Sequence, residues 1–351
     1  MHPAIALTQF DAESVLENQF HHLEALRGQH VFISGGTGIL GAWLLELIKV
    51  LNGRYNFGLR ATAFSRHASA FAQRWPHLGQ QPHVEFVDGD IRYLTHFPSD
   101  TRYIIHAAAL TDRRLLASQP SSVAEINGIG TLRALRAANL LEDIQKFVLL
   151  SSGLIYGNQP SDVYSVEESS AALLSSGDVN SVYAESKRFA ESLAQSFISE
   201  SKLPVVTLRP FAFIGPYQSL SLPWAVTDFI RDSFNGGPVR IMGDGTTVRS
   251  VMYASDFAFW VLSALANGRA RETYNVGSPV PMDLAALARM ITLSFSPQPA
   301  VLSGLGQTGH PRSRLVPNIE RAQRDLQVKM TVDISESIRR TIHWHSLTRT
   351  P

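Results

Sequence analysis

Short apolar runs alternate with longer segments of helical periodicity along most of the chain. Runs rich in β-branched and aromatic residues predict strands at residues 31–34, 61–64, 84–87, 103–106, 147–150 and 205–208. Between them, apolar residues three and four positions apart predict helices near residues 39–51, 68–75, 121–139 and 183–199. Strands that alternate with helices in this way favour an α/β fold, in which helices cover both faces of a doubly wound parallel sheet.

Both ends of the chain depart from this alternation. Residues 1–28 have apolar positions at roughly helical spacing, with Asp11 as a candidate cap, and predict a helical N-terminal extension that packs on the main body. After Pro210, prolines interrupt shorter elements. Helical patterns recur there near residues 224–235, 255–267, 283–294 and 333–344. We therefore expect the extension, a nucleotide-binding domain at 29–210, and a smaller mixed substrate lobe at 211–351 that is interleaved with the sheet.

Composition narrows the class of protein without choosing a partner. Of the 351 residues 44% are hydrophobic, and the formal net charge is +1 with scattered basic residues, so neither nucleic acid nor a membrane is expected as a partner. The absence of cysteine excludes disulfides and thiolate chemistry. The twelve histidines show no metal-ligand spacing, so no metal is predicted. Without a recognisable secretory signal, the expected location is the cytoplasm.

The first predicted strand leads directly into a glycine-rich turn that opens a helix. Glycines let the backbone approach a pyrophosphate, and the helix N-terminus offers free N–H groups, so the segment predicts the dinucleotide site of a Rossmann-type fold. For this motif alone, a structural turn that binds no nucleotide is the alternative. The residues expected to contact the dinucleotide here are Gly35, Thr37, Gly38, Ile39, Leu40 and Gly41.

The ends of the second and third strands bear on which dinucleotide is bound. An acidic residue after the second strand would bind the ribose hydroxyls of NAD, whereas Ser65 and Arg66 stand there and suit the 2′-phosphate of NADP. Arg66 can equally be an ordinary loop residue, so the expected cofactor is NADP or NAD, with NADP favoured. Asp90 and Ile91 follow the third strand and are expected to frame the adenine, although a turn-capping role explains Asp90 nearly as well.

A tyrosine and a lysine lie one helical turn apart in the helix predicted at 183–199. The four-residue interval places the phenol of Tyr183 and the ammonium of Lys187 on one face. There the cation is expected to favour the phenolate and to lower the pKa of Tyr183 towards neutrality, as an acid–base group requires. Upstream, Ser151 and Ser152 close the apolar run of the fifth predicted strand. Many amphipathic helices carry such a pair by chance, so its meaning depends on the surrounding motifs.

Taken in order, the motifs resemble those of the extended short-chain dehydrogenase/reductase family, specifically its nucleotide-sugar epimerase, dehydratase and reductase branch. The resemblance runs from about residue 30 to 345. Besides the segments already named, the matching ones are 106–109, 127–131, 152–157, 208–210, 215–216, 243–245, Arg249 with Asp256, and 274–277.

The resemblance implies roles for individual residues. Ser152 and Tyr183 would face the sugar carbon that undergoes redox chemistry, and Lys187 would hold the nicotinamide ribose. Asn127 would join this catalytic set by fixing the backbone near Lys187. The further cofactor contacts implied are Ser151, Ala107, Ala108, Ala109, Pro210 and Phe213. The substrate contacts implied are Ser152, Gly153, Leu154, Arg249 and Asp256. The implied partners are a nucleoside-diphosphate sugar as substrate and a second copy of the chain in a homodimer.

Two departures from the family pattern bear on substrate and reaction. Family 4,6-dehydratases carry an acidic pair where this chain has Gly153 and Leu154, and decarboxylases carry a glutamate at the second position. Both reactions are therefore disfavoured, although Glu185 is available as a displaced group. Residues 210–213 also lack the asparagine that the family often uses to bind the sugar diphosphate, so we expect altered substrate placement.

The expected activity is an NAD(P)-dependent nucleotide-sugar epimerase or 4-keto-sugar reductase acting at a sugar carbon, with C4 favoured. Proton transfer by Tyr183 accompanies hydride transfer in either case. The alternative within the same family is a nucleotide-sugar 4,6-dehydratase or decarboxylase whose acid and base groups stand at other positions than usual. Reduction of a non-sugar carbonyl is a third possibility. A catalytically inactive cofactor-binding regulator is the alternative of another class, and the intact Ser–Tyr–Lys set disfavours it.

Overall fold

A parallel sheet forms the centre of the computed structural model, which describes residues 2–160, 162–171, 181–305 and 313–349. The strands are β1 His30–Ser34, β2 Arg60–Ser65, β3 Val84–Asp88, β4 Tyr103–His106, β5 Lys146–Leu150, β6 Val205–Pro210, β7 Ala212–Ile214, β8 Val239–Arg240, β9 Val248–Arg249, β10 Val251–Tyr253, β11 Thr273–Val276, β12 Met282–Asp283, β13 Val301–Leu302 and β14 Arg314–Leu315. Seven of them form the main sheet in the order β11-β6-β5-β4-β1-β2-β3, and every pairing in it is parallel. The predicted α/β class and doubly wound topology are confirmed.

Helices cover both faces of this sheet. They are α1 Pro3–Leu16, α2 Ile39–Tyr55, α3 Ala68–Arg74, α4 Pro76–Gly79, α5 Arg113–Ser118, α6 Pro120–Ala138, α7 Val182–Ser201, α8 Ala225–Phe234, α9 Ala254–Asn267, α10 Leu284–Thr292, α11 Glu320–Leu326 and α12 Ile334–Thr348. Alternate residues of β1 are apolar on both faces of the sheet. Val31 and Ile33 pack with α2 and α9, whereas Phe32 packs on the opposite face with α6 and α7. Both faces therefore have to be buried under helices. No helix within the described ranges is long and apolar enough to cross a membrane.

The N-terminal extension is part of the core. Helix α1 packs against α2, α9 and α12, and the short 3₁₀ segment Phe20–Leu26 packs against α9. Ala12, Val15, Leu16 and Leu23 are fully buried in the same apolar cluster as β1 and α2. Removal of this extension would therefore expose apolar surface on the main body.

The second half of the chain contributes to the main sheet and to a smaller lobe. Strand β11 pairs with β6 at the edge of the main sheet, and α9 belongs to its apolar core. The remaining short strands form the pairs β10-β7 and β13-β8 and the group β12-β9-β14, and α8, α10 and α12 surround a separate apolar cluster. The predicted boundary at residue 210 therefore does not fully separate the main sheet from the smaller lobe. As the predicted interleaving implies, β11 and α9 follow residue 210 and still belong to the main sheet and its core.

The glycine turn after β1 is fixed by close backbone packing. A Cβ atom built on Gly41 would lie 2.3 Å from the carbonyl carbon of Gly36, and backbone cannot move away as a flexible side chain can. Gly53 lies in the same helix, and a Cβ atom there would meet nothing within 4 Å. The contrast separates a glycine needed for packing from one that is merely tolerated.

We expect Gly41→Ala to lower the free energy of unfolding by about 2 kcal/mol, because the added methyl forces α2 away from the turn. Gly53→Ala is the matched control and should be neutral or stabilising by up to about 1 kcal/mol, since alanine favours the helix. Denaturant unfolding of both variants measures the difference. Equal stabilities would contradict the packing role of Gly41.

Candidate active site

The glycine turn lies where the carboxyl ends of β1 and β4 meet. Gly35 has φ +73°, and a Cβ atom on it would lie 2.8 Å from backbone atoms of Ala107 and Ala108. Gly38 precedes α2 in an extended conformation, and no side chain caps the first turn of the helix. The first-turn N–H groups of Ile39, Leu40 and Gly41 are thus left without a side-chain acceptor. This backbone cradle fits a dinucleotide pyrophosphate.

The end of β2 is joined to the glycine turn by a hydrogen bond. Thr37 Oγ1 donates to Ser65 Oγ at 2.8 Å, and Arg66 follows as an exposed residue. Asp90 Oδ1 accepts from the Arg92 amide at 2.9 Å and caps a 3₁₀ turn, and the Arg92 guanidinium lowers the pKa of Asp90, with a smaller contribution from Arg66. The side chain of Asp90 therefore has the capping role that was the alternative explanation. Arg66 forms no ion pair with a described carboxylate, although its charge acts on Asp90, which is itself paired with Arg92.

Ser152 and Tyr183 meet at the carboxyl end of β5. Burial raises the pKa of Tyr183 to about 12, and a hydrogen bond with Ser152 lowers it only in part. Ser152 Oγ also accepts from the Leu154 amide at 3.1 Å. The expected lowering of the Tyr183 pKa by Lys187 is not found. Tyr183 is a protonated phenol at neutral pH in this arrangement.

Lys187 is directed at the backbone of β5. Its Nζ donates to the Leu150 carbonyl oxygen at 2.8 Å, and only 2% of the residue is exposed. Burial lowers the pKa of Lys187 to about 8, while the charge of Glu191 acts in the opposite direction. The ammonium thus fixes α7 over the strand end that carries Ser151 and Ser152. The predicted lowering of the Tyr183 pKa fails because burial of the phenol is the dominant effect.

Asn127 connects α6 with the turn of α7 that carries the tyrosine and lysine. Its Nδ2 donates to Ser186 Oγ at 2.9 Å, and Ser186 Oγ donates to the Tyr183 carbonyl oxygen at 2.8 Å. Asn127 Oδ1 is buried without a hydrogen-bond partner among the described residues. The Asn127 side chain therefore contacts the Ser186 hydroxyl, next to Lys187, and keeps one acceptor without a partner among the described residues.

A buried histidine extends this network under the site. His106 lies between Ser34 Oγ at 2.8 Å and Thr131 Oγ1 at 3.0 Å. Thr131 Oγ1 donates to the Asn127 carbonyl oxygen at 2.6 Å, so it accepts from His106 Nε2, and Nδ1 accepts from Ser34. Burial lowers the pKa of His106 to about 3, with a contribution from Lys187, which keeps the ring neutral.

The sequence did not assign roles to His106, Thr131 and Ser186. Two local patterns could have pointed to these residues. Thr131 lies one helical turn after Asn127, and Ser186 adjoins Lys187. Their partners lie far apart in sequence, so only the packing of α6 on α7 and β4 identifies the connections.

The residues after Ser152 form an apolar edge. A Cβ atom on Gly153 would lie 2.8 Å from the ring of Phe211, which is itself buried against Tyr156. Leu154 is 49% exposed, so a large apolar side chain occupies the position where decarboxylating relatives have an acid. Glu185 forms an ion pair with Arg188 on an exposed part of α7 and supplies no acid here.

The remaining predicted cofactor contacts differ in exposure. Ser151 Oγ is buried without a partner among the described residues, and its amide donates to the Leu208 carbonyl oxygen at 2.7 Å. Residues 107–109 and Pro210 are half-buried. Phe213 is also half-buried, with its ring 4.5 Å from that of Phe257, so part of its surface stays free. Phe213 lies within β7, whereas the others follow or end strands of the main sheet.

Arg249 is held in place by backbone and hydroxyl oxygens. Its Nη1 donates to the Val248 carbonyl at 2.8 Å, and its Nη2 donates to Ser313 Oγ at 3.1 Å. Burial lowers the pKa of Arg249, and the neighbouring charge of Arg113 lowers it further. Neither arginine has an ion pair with a carboxylate of the described residues. Two guanidinium groups without acidic partners suit an anionic group of a substrate.

Asp256 does not fit the substrate contact that the resemblance implied. It is fully buried in the first turn of α9, where Oδ1 accepts from the Thr331 hydroxyl at 2.6 Å and Oδ2 from the Thr331 and Val332 amides. Burial raises the pKa of Asp256 to about 6, although these hydrogen bonds oppose the shift. Its acceptors are used to fasten the segment before α12 to α9. We correct its role from substrate binding to structure.

No cluster of three or more histidine, cysteine, aspartate or glutamate residues with metal-binding geometry occurs in the described part of the chain. The polar groups of the site are instead hydroxyl, amide, ammonium and guanidinium groups. Such groups suit proton transfer and the binding of anions.

The match to known proteins spans most of the chain. The model of the family described as "NAD dependent epimerase/dehydratase family" matches residues 31–277. UDP-glucuronic acid decarboxylase 1 of Xenopus tropicalis is 22% identical over 90% of this chain and 72% of its own length. UDP-glucuronic acid decarboxylase 3 of Arabidopsis thaliana is 24% identical over 88% of this chain and 86% of its own length.

Solved structures share the fold. DesIV, a dTDP-glucose 4,6-dehydratase from Streptomyces venezuelae with NAD and TYD bound, has a TM-score of 0.79 at 22% identity, covering 92% of this chain and 98% of that one. UDP-glucuronic acid 4-epimerase from Bacillus cereus in complex with NAD has a TM-score of 0.77 at 20% identity, covering 92% and 100%. At these identities the likeness concerns the fold.

We expect Glu191→Gln to shift the alkaline limb of the pH profile of kcat/KM to lower pH. The Glu191 charge raises the pKa of Lys187, so its removal lets the ammonium lose its proton earlier. The measurement is the pH profile with a nucleotide sugar that the protein converts. Glu185→Gln is the matched control, because it removes the same charge from an exposed part of the same helix. An unchanged profile for Glu191→Gln would contradict this coupling.

Proposed function

The chain belongs to the NAD dependent epimerase/dehydratase family, and on that premise we propose that it is a nucleotide-sugar 4-epimerase or 4-keto-sugar reductase. The observation that carries the proposal is the placement of Ser152 beside the Tyr183 phenol, with Lys187 one turn along the same helix. Apolar Gly153 and Leu154 follow Ser152. The set provides for proton transfer at one sugar oxygen, and the two residues that follow Ser152 offer no acid for elimination or decarboxylation.

The proposed chemistry assigns each side chain a task at the reacting oxygen. The bound nicotinamide supplies hydride exchange with the sugar carbon. Ser152 positions the sugar oxygen by a hydrogen bond, and Tyr183 gives its phenolic proton to that oxygen when a ketone is reduced, or removes the proton when the alcohol is oxidised. A phenol that is protonated at neutral pH suits donation, which favours the reductase. Lys187 and Asn127 hold the segment of α7 that presents the phenol.

Decarboxylation is the second candidate, and a specific observation favours it. Curated relatives that cover about nine tenths of the chain are named UDP-glucuronic acid decarboxylases. Against it stands Leu154, which has no acid or base to offer. The paired guanidinium groups of Arg113 and Arg249 support an anionic substrate under either proposal, with a sugar nucleoside diphosphate as the proposed class.

One experiment separates these reactions. The protein is incubated with UDP-, dTDP-, CDP- and GDP-sugars, each with and without added NADPH or NADH, and the products are analysed by mass spectrometry and chromatography. An isomer formed without added cofactor supports epimerisation, and a gain of two hydrogens from a 4-keto sugar supports reduction. Loss of water or of carbon dioxide would overturn the proposal in favour of a dehydratase or decarboxylase. Conversion of no nucleotide sugar would reject this function.

We expect Tyr183→Phe to lower kcat by about 10²–10⁴-fold, the usual contribution of a positioned acid–base group. Cofactor binding should persist, because the glycine turn is unchanged. Tyr164→Phe is the matched control, since Tyr164 is 68% exposed and should leave kcat unaltered. Full activity of Tyr183→Phe would remove the tyrosine from the mechanism.

We further propose that NADP is preferred over NAD, because Arg66 follows β2 without a carboxylate partner among the described residues. Arg66→Ala should weaken NADPH binding about tenfold, which corresponds to one charge-assisted contact, and should leave NADH binding unchanged. Arg74→Ala removes the same charge from the surface of α3 and serves as the control. Calorimetric titration with both dinucleotides measures the effect, and an equal loss for the two would contradict the assignment.

A further inference from the structure

The N-terminal helix α1 lies outside the family match, which begins at residue 31, yet it contacts the site-forming half of the molecule. Two of its polar residues are buried: Thr8 is fully buried and Asp11 is 1% exposed. A buried polar side chain on a surface helix is costly unless its hydrogen bonds are satisfied, so the partners of these residues identify what α1 holds.

Thr8 reaches the segment after β7 through a buried carboxylate of α2. Thr8 Oγ1 donates to Glu46 Oε1 at 2.6 Å, and the Tyr217 hydroxyl donates to the same oxygen at 2.5 Å. Glu46 is fully buried. Burial raises the pKa of Glu46, but the hydrogen bonds from His77, Thr8 and Tyr217 outweigh it, so the group stays ionised. The negative charge therefore depends on these donors.

Asp11 reaches the end of β10 directly. The Tyr253 hydroxyl donates to Asp11 Oδ2 at 2.5 Å, and the Arg340 guanidinium of α12 donates to Oδ1. Tyr253 is fully buried. Trp43 of α2 lies between the two tyrosines, with ring centroids 6.1 Å from Tyr217 and 5.9 Å from Tyr253, and its Nε1 donates to the Pro216 carbonyl oxygen.

Both tyrosines lie at or just beyond the carboxyl end of one structural unit, the ribbon formed by β7 and β10. The strands are parallel and pair Phe213 with Met252 and Ile214 with Tyr253. Tyr253 ends β10, and Tyr217 follows β7 by three residues, so α1 holds the same end of both strands. The ribbon carries Phe213, and Arg249 precedes β10 by two residues. Movement of the ribbon would displace the ring of Phe213, which is expected near the cofactor. It would also displace the guanidinium of Arg249, which is expected near the substrate anion.

We propose that α1 is a positioning element of the active site, and that Thr8 and Asp11 set the placement of the β7–β10 ribbon through Tyr217 and Tyr253. What the ribbon binds rests on the proposed function, whereas the coupling itself does not. The glycine turn is anchored separately by β1 and Ala107, so α1 acts on the substrate side of the site.

The test uses the full-length protein and an isosteric pair of variants. Thr8→Val removes the hydroxyl and keeps the shape, whereas Thr8→Ser keeps the hydroxyl. Gln9→Ala is the matched control on the same helix, because the Gln9 side chain donates to Glu13 of α1, at 2.9 Å, and to no other described residue. Asp11→Asn tests the second contact, and Tyr253→Phe breaks it from the other end if Asp11→Asn does not fold.

Hydrogen exchange should become faster at the amides of residues 213–218 and 251–253 in Thr8→Val and Asp11→Asn, and should stay at the wild-type rate in Thr8→Ser and Gln9→Ala. The KM for the converted nucleotide sugar, and the Kd for UDP or dTDP, should rise about tenfold in the same two variants. The kcat should change little, since Tyr183 is untouched. The Kd for NADPH should rise less than the KM, since the glycine turn is untouched and Phe213 is the one predicted cofactor contact on the ribbon.

A lower melting temperature with unchanged KM and unchanged exchange in the ribbon would overturn the proposal and leave α1 a purely stabilising helix. Faster exchange throughout the protein would overturn it as well. If the wild-type protein converts no nucleotide sugar and binds neither UDP nor dTDP, the proposed function fails, and the exchange rates alone decide whether α1 holds the ribbon.

Discussion

The candidate site depends on one buried cation. The ammonium of Lys187 donates to the Leu150 carbonyl oxygen, and so holds α7 over the carboxyl end of β5. A buried charge is tolerated only where it is paired or hydrogen-bonded, so this contact constrains both elements. Because Tyr183 lies one turn earlier on α7 and Ser152 lies just beyond β5, the same contact sets the distance between the phenol and the hydroxyl. Small changes in the packing of α7 would separate them.

The surroundings of this cation are polar but nearly free of opposing charge. His106 stays neutral between Ser34 and Thr131, and the connection continues through Asn127 and Ser186 to the backbone of Tyr183. Each hydroxyl group in this hydrogen-bond network donates to one neighbour and accepts from another. Thr131 accepts from His106 and Ser34 donates to it, which fixes the tautomer of the histidine. The network thereby positions the acid–base residue without adding a carboxylate that would compete with a substrate anion.

The substrate side is built from parts of the chain that are distant in sequence. Helix α1, the loop after β7 and the end of β10 meet at α2, where Trp43 and Glu46 contact the two tyrosines. The dinucleotide side, in contrast, is formed by consecutive residues of one strand, turn and helix.

Local physics made the sheet, its helices and the dinucleotide turn predictable. The alternation of apolar runs identifies strands that are buried on two faces, and Gly35 and Gly41 are required because backbone packs on backbone there. The Tyr183–Lys187 interval likewise follows from helical geometry. These features depend on neighbours within a few residues, so the sequence alone determines them.

Tertiary packing decided the properties that depend on burial and on distant partners. The pKa of Tyr183 is raised and not lowered, because burial desolvates the phenol. Asp256 serves Thr331 and Val332, and the resemblance could not reveal that pairing. The electrostatic free energy of a group depends on which chain segments surround it, and no local pattern encodes that environment.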